Sequence, residues 1–273
     1  MLLRTPNLFH NGEMPDSQAT TPLRPVALVT GVGRRAGIGF AVAQQLALDG
    51  YDVAVSHWGP YDERVHGQAT DRVNFEVGSL EVHGGRAVQI EADLQKSNSI
   101  GELFTKVESS LGSVSALVMC HCESIDSGIL DTTEESFDRH FAVNARSTWL
   151  LIREFARRYR SNSGEGRIVA FTSDHTTANL PYGASKGALD RIVIAASQEF
   201  AGLGISANVI NPGPTDTGWI GTELASQIVS ATPLGRLGAP TDAARLVSFL
   251  CSPEGGWING QLIHSNGEFA PSS

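Results

Sequence analysis

The chain has 273 residues, of which 41% are hydrophobic and 18% are charged, so it holds enough apolar material for a sizeable core and is not intrinsically disordered. Its 20 Lys and Arg against 29 Asp and Glu give a formal net charge of -9, which repels nucleic-acid phosphates and anionic membrane surfaces. No apolar run reaches the roughly 18 residues that a membrane-spanning helix needs. We therefore expect a globular, cytoplasmic protein that binds neither nucleic acid nor membrane.

The pattern along the chain predicts one folded domain after a loose beginning. Residues 1–24 are rich in Pro, Asn, Ser and Thr, which predicts a flexible arm that docks on a neighbouring subunit. Over residues 25–273, short β-branched runs alternate with stretches of helical period, as in βαβ units. This alternation predicts an α/β fold, a Rossmann-type doubly wound parallel sheet of seven strands in a single domain.

The predicted elements follow one another from the first apolar run to the last. The predicted strands are Val26–Thr30, Asp52–Ser56, Ala87–Glu91, Ala116–Cys120, Arg167–Ser173, Ser206–Ile210 and Gln261–His264. The stretches with apolar residues at helical spacing are Ala41–Asp49, Phe137–Tyr159, Ala184–Leu203 and Ala239–Cys251.

A glycine-rich turn follows the first predicted strand and leads into an apolar helix. Its glycines are Gly31, Gly33, Gly37 and Gly39. Glycines in this context let the backbone turn tightly and approach a pyrophosphate, whose charge then lies at the positive end of the helix. No Lys-Ser/Thr pair closes the run, which excludes a Walker nucleotide loop. The turn therefore predicts a dinucleotide site.

The residues after the second strand bear on the choice of cofactor. Enzymes that prefer NAD commonly place an acid about 20 residues after the glycines, whereas residues 56–58 read Ser-His-Trp. Arg34 and Arg35 in the glycine loop can face a 2′-phosphate with charge-assisted hydrogen bonds. This favours NADP(H) over NAD(H), although Asp62 and Glu63 keep NAD open.

Cysteine and histidine usage predicts no metal site. The Cys-His-Cys run at 120–122 lacks the second pair of ligands that structural zinc needs, and three cysteines cannot build a disulfide framework. His57, His121 and His175 show no regular spacing.

Tyr182 and Lys186 lie four residues apart on a predicted helix that begins near Pro181, so they share a helix face. A nearby cation favours the phenolate of a tyrosine, whose ordinary pKa is about 10, and makes proton exchange feasible at neutral pH. The pair follows a buried strand that ends at Thr172-Ser173, where a parallel sheet opens into a ligand crevice.

These motifs in this order resemble the short-chain dehydrogenase/reductase family from about Pro25 to Glu268, most closely the reductases grouped with 3-oxoacyl-carrier-protein reductase. The resemblance extends to Gly-Arg-Leu-Gly at 235–238 and Ile-Asn-Gly-Gln near the end. It implies hydride transfer between a nicotinamide and a secondary alcohol or ketone. It also implies a homo-oligomer, a tetramer or a dimer, built on the helices of 137–159 and 184–203.

The resemblance assigns four catalytic residues. Tyr182 would donate a proton to a carbonyl or accept one from an alcohol, and Lys186 would hold the nicotinamide ribose and lower the pKa of Tyr182. Ser173 would hydrogen-bond the substrate oxygen. Asn144 would support a water relay to the lysine, although the residues alone favour a buried amide that satisfies helix backbone.

The resemblance also implies a set of cofactor-binding positions. They are Gly31, Gly33, Arg34, Arg35, Gly37, Ile38, Gly39, His57, Asp93, Leu94, Cys120, Tyr182, Lys186, Pro212, Gly213, Thr215 and Thr217. Asp93 would lie by the adenine, and the 212–217 turn would meet the nicotinamide carboxamide. From the residues alone, Asp93 is equally a helix cap and 212–217 an ordinary proline-glycine turn.

Three departures from the family pattern leave alternatives open. Five residues separate Gly31 from Gly37 instead of three, and residues 119–122 read Met-Cys-His-Cys where Asn-Asn-Ala-Gly is usual. Only eight residues separate Ser173 from Tyr182, about four fewer than is usual in the family. The shorter segment can displace Ser173, in which case Thr172 or Thr176 would supply the hydroxyl that binds the substrate oxygen. A non-catalytic dinucleotide-binding sensor or scaffold is therefore the alternative function.

Two further expectations concern binding and the substrate. A methyl-donor site at the glycine loop is disfavoured by the missing acid after the second strand. Residues 217–237 read as a mobile, partly amphipathic lid. Trp219 and Ile220 either present an apolar face to the substrate or pack on the underside of the lid itself, and we expect the second.

Overall fold

The computed structural model describes residues 24–66, 77–160, 164–175 and 177–269. Nearly all of the predicted arm and Thr176 therefore lie outside the described residues. The strands are β1 (Val26–Thr30), β2 (Asp52–His57), β3 (Ala87–Glu91), β4 (Val114–Met119), β5 (Gly166–Phe171), β6 (Ile205–Asn211) and β7 (Leu262–His264).

The helices flank the strands. They are α1 (Ile38–Leu48), α2 (Gly59–His66), α3 (Ser97–Ser110), α4 (Glu134–His140), α5 (Ser147–Arg158), α6 (Leu180–Glu199), α7 (Thr222–Ala231) and α8 (Pro240–Cys251). A π-helical segment, Phe141–Arg146, joins α4 to α5, and 3-10 turns cover Val77–Leu80 and Ala201–Leu203. In the described part of the chain, no helix is both long and apolar enough to cross a membrane.

The seven strands form one parallel sheet in the order β3-β2-β1-β4-β5-β6-β7, which confirms the predicted doubly wound fold in a single domain. Val29 of β1 pairs with Val55 of β2 on one side and with Val118 of β4 on the other. The direction of winding reverses between β1 and β4. In such sheets the ligand crevice lies beyond the carboxyl ends of the strands at this reversal.

Helices cover both faces of the sheet, which is why its strands are continuous apolar runs. On one face, Phe104 of α3 and Phe155 of α5 are completely or almost completely buried against the strands. On the other face, Leu46 of α1 and Val247 of α8 are completely buried. Each Å² of apolar surface removed from water stabilises the fold by roughly 25 cal/mol. The packing of helices on both faces therefore holds the strands, and with them the strand ends that carry the site, in place.

The helical predictions differ from the structure in two ways. The single helix expected over 137–159 is interrupted by the π turn around Asn144, whose amide is bound by a neighbouring loop. Helices α2, α3 and α7 were not among the predicted ones. For α3 the signal was present, since Ile100, Leu103 and Val107 form a buried stripe at helical spacing.

Candidate active site

The glycine loop packs directly on the end of β4. Gly31 has a φ of +75°, and a Cβ built there would lie 2.4 Å from the backbone nitrogen of His121. A Cβ on Gly39 would lie 2.8 Å from the carbonyl oxygen of Gly31. Gly37 is the N-cap of α1, so the loop delivers its backbone to the positive end of that helix. A side chain at Gly31 would therefore force the glycine loop away from the end of β4, and a side chain at Gly39 would force α1 away from the loop.

A cleft of about 910 Å³ opens beyond the carboxyl ends of the strands. Of the predicted site residues, all but Arg35 and Asn144 line it. The lining set comprises Gly31, Gly33, Arg34, Gly37, Ile38, Gly39, His57, Asp93, Leu94, Cys120, Ser173, Tyr182, Lys186, Pro212, Gly213, Thr215 and Thr217. One concave surface thus collects residues from seven separate segments of the chain, at the place where such sheets bind ligands.

The rim residues around the cleft are held by local hydrogen bonds. Asp93 accepts a hydrogen bond from the Gln95 backbone at 3.0 Å and lies 3.4 Å from the Lys96 ammonium, so its carboxylate also closes the turn before α3. His57 at the end of β2 contacts the Gln89 amide at 3.2 Å. Gly213 has a φ of +61° and packs on Asn266, which fixes the proline-glycine turn.

Of the two arginines predicted to face a 2′-phosphate, only Arg34 reaches the cleft. Its guanidinium donates to the carbonyl oxygen of Thr217 at 2.9 Å and lies 4.2 Å from the centre of the Trp219 ring. Arg35 is exposed outside the cleft, with its guanidinium 5.9 Å from the Phe40 ring. The expectation that Trp219 packs beneath its own lid is also wrong, because the ring stacks on the glycine-loop arginine.

Tyr182, Lys186 and Ser173 meet at the centre of the cleft. The Lys186 ammonium is buried, donates to the carbonyl oxygen of Phe171 at 2.8 Å and lies 5.7 Å from the centre of the Tyr182 ring. The Ser173 hydroxyl forms a side-chain hydrogen bond with Tyr182. The helical spacing of four and the end of β5 thus bring together a phenol, a cation and a hydroxyl.

The electrostatics of this trio differ from the sequence expectation. Burial raises the pKa of Tyr182 and the Cys122 thiol raises it further, while the bond with Ser173 offsets only part of the rise. Burial also lowers the pKa of Lys186. In the free protein the pKa of Tyr182 is therefore raised and not lowered as expected, because desolvation disfavours the phenolate.

The shortened segment before Tyr182 does not displace Ser173 from the cleft. Thr172, the alternative hydroxyl that the structure describes, is buried and donates to the Lys186 carbonyl oxygen at 3.4 Å. Its hydroxyl is therefore used in fixing β5 to α6, and Ser173 is the hydroxyl beside the phenol.

Asn144 lies behind the cleft, in the π turn. Its side-chain oxygen accepts from the Glu123 backbone at 2.7 Å, and its side-chain nitrogen donates to the Glu123 carbonyl at 2.9 Å and to the Ser185 hydroxyl at 2.8 Å. Ser185 in turn donates to the carbonyl oxygen of Tyr182 at 2.8 Å. The amide therefore ties the β4–α4 loop to the first turn of α6 and positions Tyr182 indirectly.

The unusual Met-Cys-His-Cys run distributes its side chains between core and cleft. Met119 and His121 are buried, while Cys120 and Cys122 are half-buried at the cleft wall. The two ring nitrogens of His121 bond the Thr30 hydroxyl at 2.7 Å and the Ser147 hydroxyl at 2.8 Å. This histidine therefore joins the end of β1 to the start of α5.

His121 makes stability depend on pH. Burial and the Lys186 charge lower its pKa from 6.5 to about 3. The imidazole of His121 binds a proton near pH 6.5 in the unfolded chain but stays neutral in the folded chain. The stability that the neutral, buried imidazole contributes is therefore fully present above pH 6.5 and is lost as the pH falls towards 3. At about 1.4 kcal/mol per pH unit, roughly 2 kcal/mol of the free energy of unfolding is lost from this group by pH 5.

Urea unfolding of the wild type and of His121→Ala at pH 7.5 and pH 5 tests this. The substitution is expected to cost about 1–3 kcal/mol at pH 7.5, and this difference shrinks by roughly 2 kcal/mol at pH 5. His175→Ala, at an exposed position, serves as the control. Parallel pH dependences for wild type and His121→Ala would contradict the assignment.

Helix α2, with the residue before it, contributes Trp58, Tyr61, Asp62 and Arg64 to the lining of the cleft. Of these four, only Asp62 was singled out from the sequence, as a residue that keeps NAD(H) open. The available signal was their position just beyond the end of β2, since loops at the carboxyl edge of a parallel sheet surround the ligand crevice. Among the described residues, no three His, Cys, Asp or Glu side chains form a group able to hold a metal ion.

Known proteins with the same architecture cover nearly the whole chain. The family model described as enoyl-(acyl carrier protein) reductase matches residues 31–268. The uncharacterized oxidoreductase YjdA of Bacillus subtilis (strain 168) is 37% identical over 251 residues, 89% of this chain and 96% of its own length. The chloroplastic NADPH-dependent aldehyde reductase-like protein of Arabidopsis thaliana is 32% identical over 271 residues, 93% of this chain and 97% of its own.

The fold comparison agrees with the sequence comparison. The short-chain dehydrogenase/reductase from Serratia marcescens BCRC 10948 superposes with a TM-score of 0.80 at 27% identity, covering 91% of this chain and 99% of that one. The glycine loop, the Tyr182–Lys186 pair and the matched range all lie within the one domain described above. The chain is therefore an oxidoreductase that belongs to the short-chain dehydrogenase/reductase family, whose enzymes act on carbonyl and alcohol groups.

Proposed function

We propose that the chain is an NADP(H)-dependent oxidoreductase that transfers a hydride between the nicotinamide and a secondary alcohol or ketone, with Tyr182 as proton donor and acceptor. The observation that carries the proposal is the meeting of Tyr182, Ser173 and the buried Lys186 in a cleft whose floor is the glycine loop. A phenol, a hydroxyl and a cation in one cleft suit proton transfer at a substrate oxygen.

The cleft residues fit a nicotinamide dinucleotide. Gly31, Gly37 and Gly39 leave backbone, without side chains, at the positive end of α1, which is where a pyrophosphate binds. The 212–217 turn, which follows β6, lines the same cleft as Tyr182. When bound, the dinucleotide supplies the hydride acceptor or donor, and the protein supplies position and proton transfer.

In the reductive direction, the hydroxyls of Ser173 and Tyr182 hold the carbonyl oxygen. As a hydride adds to the carbonyl carbon, the C=O double bond becomes a single bond and the oxygen takes the Tyr182 proton. The Lys186 ammonium stabilises the phenolate that remains, which is reprotonated from solvent. The phenol is protonated at neutral pH, and because burial raises its pKa, the phenolate left after donation depends on the nearby Lys186 charge for stabilisation.

The proposal of NADP(H) rests on the charge at the glycine loop. Arg34 lies in the cleft wall and offers a planar guanidinium to a 2′-phosphate. A relative is named as an NADPH-dependent aldehyde reductase-like protein. The carboxylate of Asp62, which touches Gly33, favours NAD(H) and is the observation that weighs against NADP(H).

A fluorescence titration with NADPH and NADH tests the cofactor proposal. The wild type is expected to bind NADPH at least about tenfold more tightly than NADH, since a charge-assisted hydrogen bond is worth about 1.5–3 kcal/mol. Arg34→Gln is expected to lose about tenfold in NADPH affinity and less than about threefold in NADH affinity. Arg35→Gln, exposed in the same loop, is the matched control.

The outcomes of that titration are distinct. A preference for NADH would reject the 2′-phosphate assignment and leave the reaction class standing. If neither dinucleotide binds, the proposed function fails.

The alternative is a dinucleotide-binding sensor or scaffold without turnover. It is favoured by Cys120 and Cys122, which line the cleft where the family usually has Asn and Gly, so that Cys122 adds a side chain where the family usually has none. Retained NADPH binding with no turnover across a panel of ketones, aldehydes and secondary alcohols would support it over the enzyme.

The proposal includes a cytoplasmic homo-oligomer, a dimer or a tetramer. Support comes from apolar side chains on α4 and α5 that face outward, since Phe137 is 37% exposed and Trp149 is 47% exposed. Exposed apolar surface of this kind is typical of subunit interfaces. Light scattering of the purified chain decides the number of subunits.

A further inference from the structure

Helix α2 lies over the same cleft that the proposed function assigns to the dinucleotide. It begins directly after β2 and presents Tyr61, Asp62 and Arg64 inward. Each of the three makes a separate contact with a part of the site, and the three contacts together hold the helix in place.

Asp62 contacts the glycine loop. A Cβ built on Gly33 would lie 2.2 Å from a carboxylate oxygen of Asp62, so the side chain rests on the bare backbone of that glycine. A pyrophosphate is expected at the same loop, and two anions cannot share it without strong repulsion.

Tyr61 lines the cleft beside Cys122. Its hydroxyl lies 4.0 Å from the Cys122 sulfur, on the cleft wall beside Tyr182. Tyr61 and Tyr182 line the same cleft, so the Tyr61 ring takes up part of the volume that a bound dinucleotide would need.

Arg64 fastens the helix to a buried carboxylate. Its guanidinium donates two hydrogen bonds to Glu123, at 2.8 and 2.6 Å. Glu123 is 2% exposed and also accepts from Arg139 of α4 at 2.9 Å. The backbone of Glu123 binds the side chain of Asn144, so the anchor is itself rigid.

We propose that α2 is a cap that competes with the dinucleotide for the cleft, and that Glu123 is the positioning residue that holds the cap closed through Arg64. The proposal rests on the proposed function, since it assigns the cleft to NADP(H). Binding of the dinucleotide then requires α2 to move away from Gly33 and Cys122. We call this conformation open, and the strength of the bidentate Arg64–Glu123 pair sets the fraction of the protein that adopts it.

The expected size of the effect follows from population arithmetic. When only a fraction of the protein is open, the apparent dissociation constant is the intrinsic one divided by that fraction. Arg64 is 40% exposed, so its pair with Glu123 is partly screened by solvent and its loss is a moderate change. Removing it is expected to tighten dinucleotide binding by about threefold to tenfold.

The test compares the wild type, Arg64→Gln and Arg158→Gln in stopped-flow fluorescence with NADPH. Arg158 pairs with Glu108 and Glu154 away from the cleft, so its variant controls for the loss of an ion pair. We expect Arg64→Gln to associate faster and to bind about threefold to tenfold more tightly, and Arg158→Gln to match the wild type. In hydrogen exchange of the free protein, the α2 amides of Arg64→Gln are expected to exchange faster than those of the wild type.

A second variant weakens the same ion pair from its other side. Glu123→Gln keeps the backbone bonds to Asn144 and removes the charge, so it is expected to tighten NADPH binding as Arg64→Gln does. Equal or weaker NADPH binding by Arg64→Gln, or unchanged α2 exchange, overturns the cap. If the wild type itself binds no dinucleotide, the proposed function fails and the cap fails with it, so the two failures are distinguishable.

Discussion

Replacing Tyr182 by Phe is expected to lower kcat by about 10³-fold and to leave NADPH affinity within about threefold, because a positioned general acid contributes about 10²–10⁴ in rate. The ring and its position above Lys186 are kept, and only the hydroxyl that bonds Ser173 is lost. Steady-state kinetics with a reducible ketone and a separate NADPH titration measure the two quantities.

The matched control is Tyr51→Phe. Tyr51 donates its hydroxyl to the carbonyl oxygen of Cys251 at 3.2 Å, next to the amino end of β2 and therefore at the opposite edge of the sheet from the cleft. Tyr51→Phe is expected to lower the free energy of unfolding by about 1 kcal/mol and to leave kcat unchanged. Full activity of Tyr182→Phe would remove the tyrosine from the chemistry, and loss of NADPH binding would mean that the variant reports on the cofactor instead.

The pH dependence of the same phenol sharpens the comparison. Since burial raises the pKa of Tyr182, the protonated form persists to higher pH in the free protein than in an exposed tyrosine. Ionisation of this phenol is therefore expected not to lower the rate of carbonyl reduction near pH 10, where an exposed tyrosine ionises, and a pH–rate profile of the wild type checks it.

Much of the fold could be predicted from the sequence because the strands are buried on both faces. Val26–Thr30 and Ala87–Glu91 were predicted to the residue, and the remaining strands differ by one or two residues at one or both ends. A parallel sheet covered by helices needs continuous apolar runs, and such runs stand out in a chain with 18% charged residues.

The site was predicted only as far as its residues belong to local motifs. The glycine loop and the Tyr182–Lys186 spacing are short-range patterns, and the sheet brings them to one edge. The Arg64–Glu123 pair joins residues 59 apart, and Arg34 meets Thr217 across 183 residues. Such contacts depend on how loops fold over the cleft, and the spacing of apolar residues along the sequence does not predict loop conformations.

The electrostatic expectation for Tyr182 failed for a related reason. Spacing on a helix gives the distance to Lys186, and a cation at that distance lowers a phenol pKa in water. It does not give the burial of the phenol or the nearness of Cys122, which comes from β4, and these two raise the pKa.

Gly31→Ala is expected to raise the NADPH dissociation constant at least about 100-fold and to lower the free energy of unfolding by about 2–4 kcal/mol. The backbone at Gly31 has a φ of +75°, which costs an L-residue about 1–2 kcal/mol. The added Cβ would also lie 2.4 Å from the His121 nitrogen and 2.6 Å from the Cys120 carbonyl carbon. These neighbours are backbone atoms of the β4 end, so the loop itself must shift, and its amides leave the pyrophosphate position.

Gly50→Ala separates the backbone cost from the clash. Gly50 has a φ of +98°, but nothing lies within 4 Å of a Cβ built there, and the residue is at the far end of α1. It is expected to lose about 1–2 kcal/mol of unfolding free energy and to bind NADPH like the wild type. If Gly31→Ala binds NADPH within about threefold of Gly50→Ala, the dinucleotide does not use the glycine loop. Weak binding by Gly31→Ala alone, with both variants folded by circular dichroism, assigns the loss to the β1–α1 backbone, since only there does the added methyl group displace the amides that meet the phosphates.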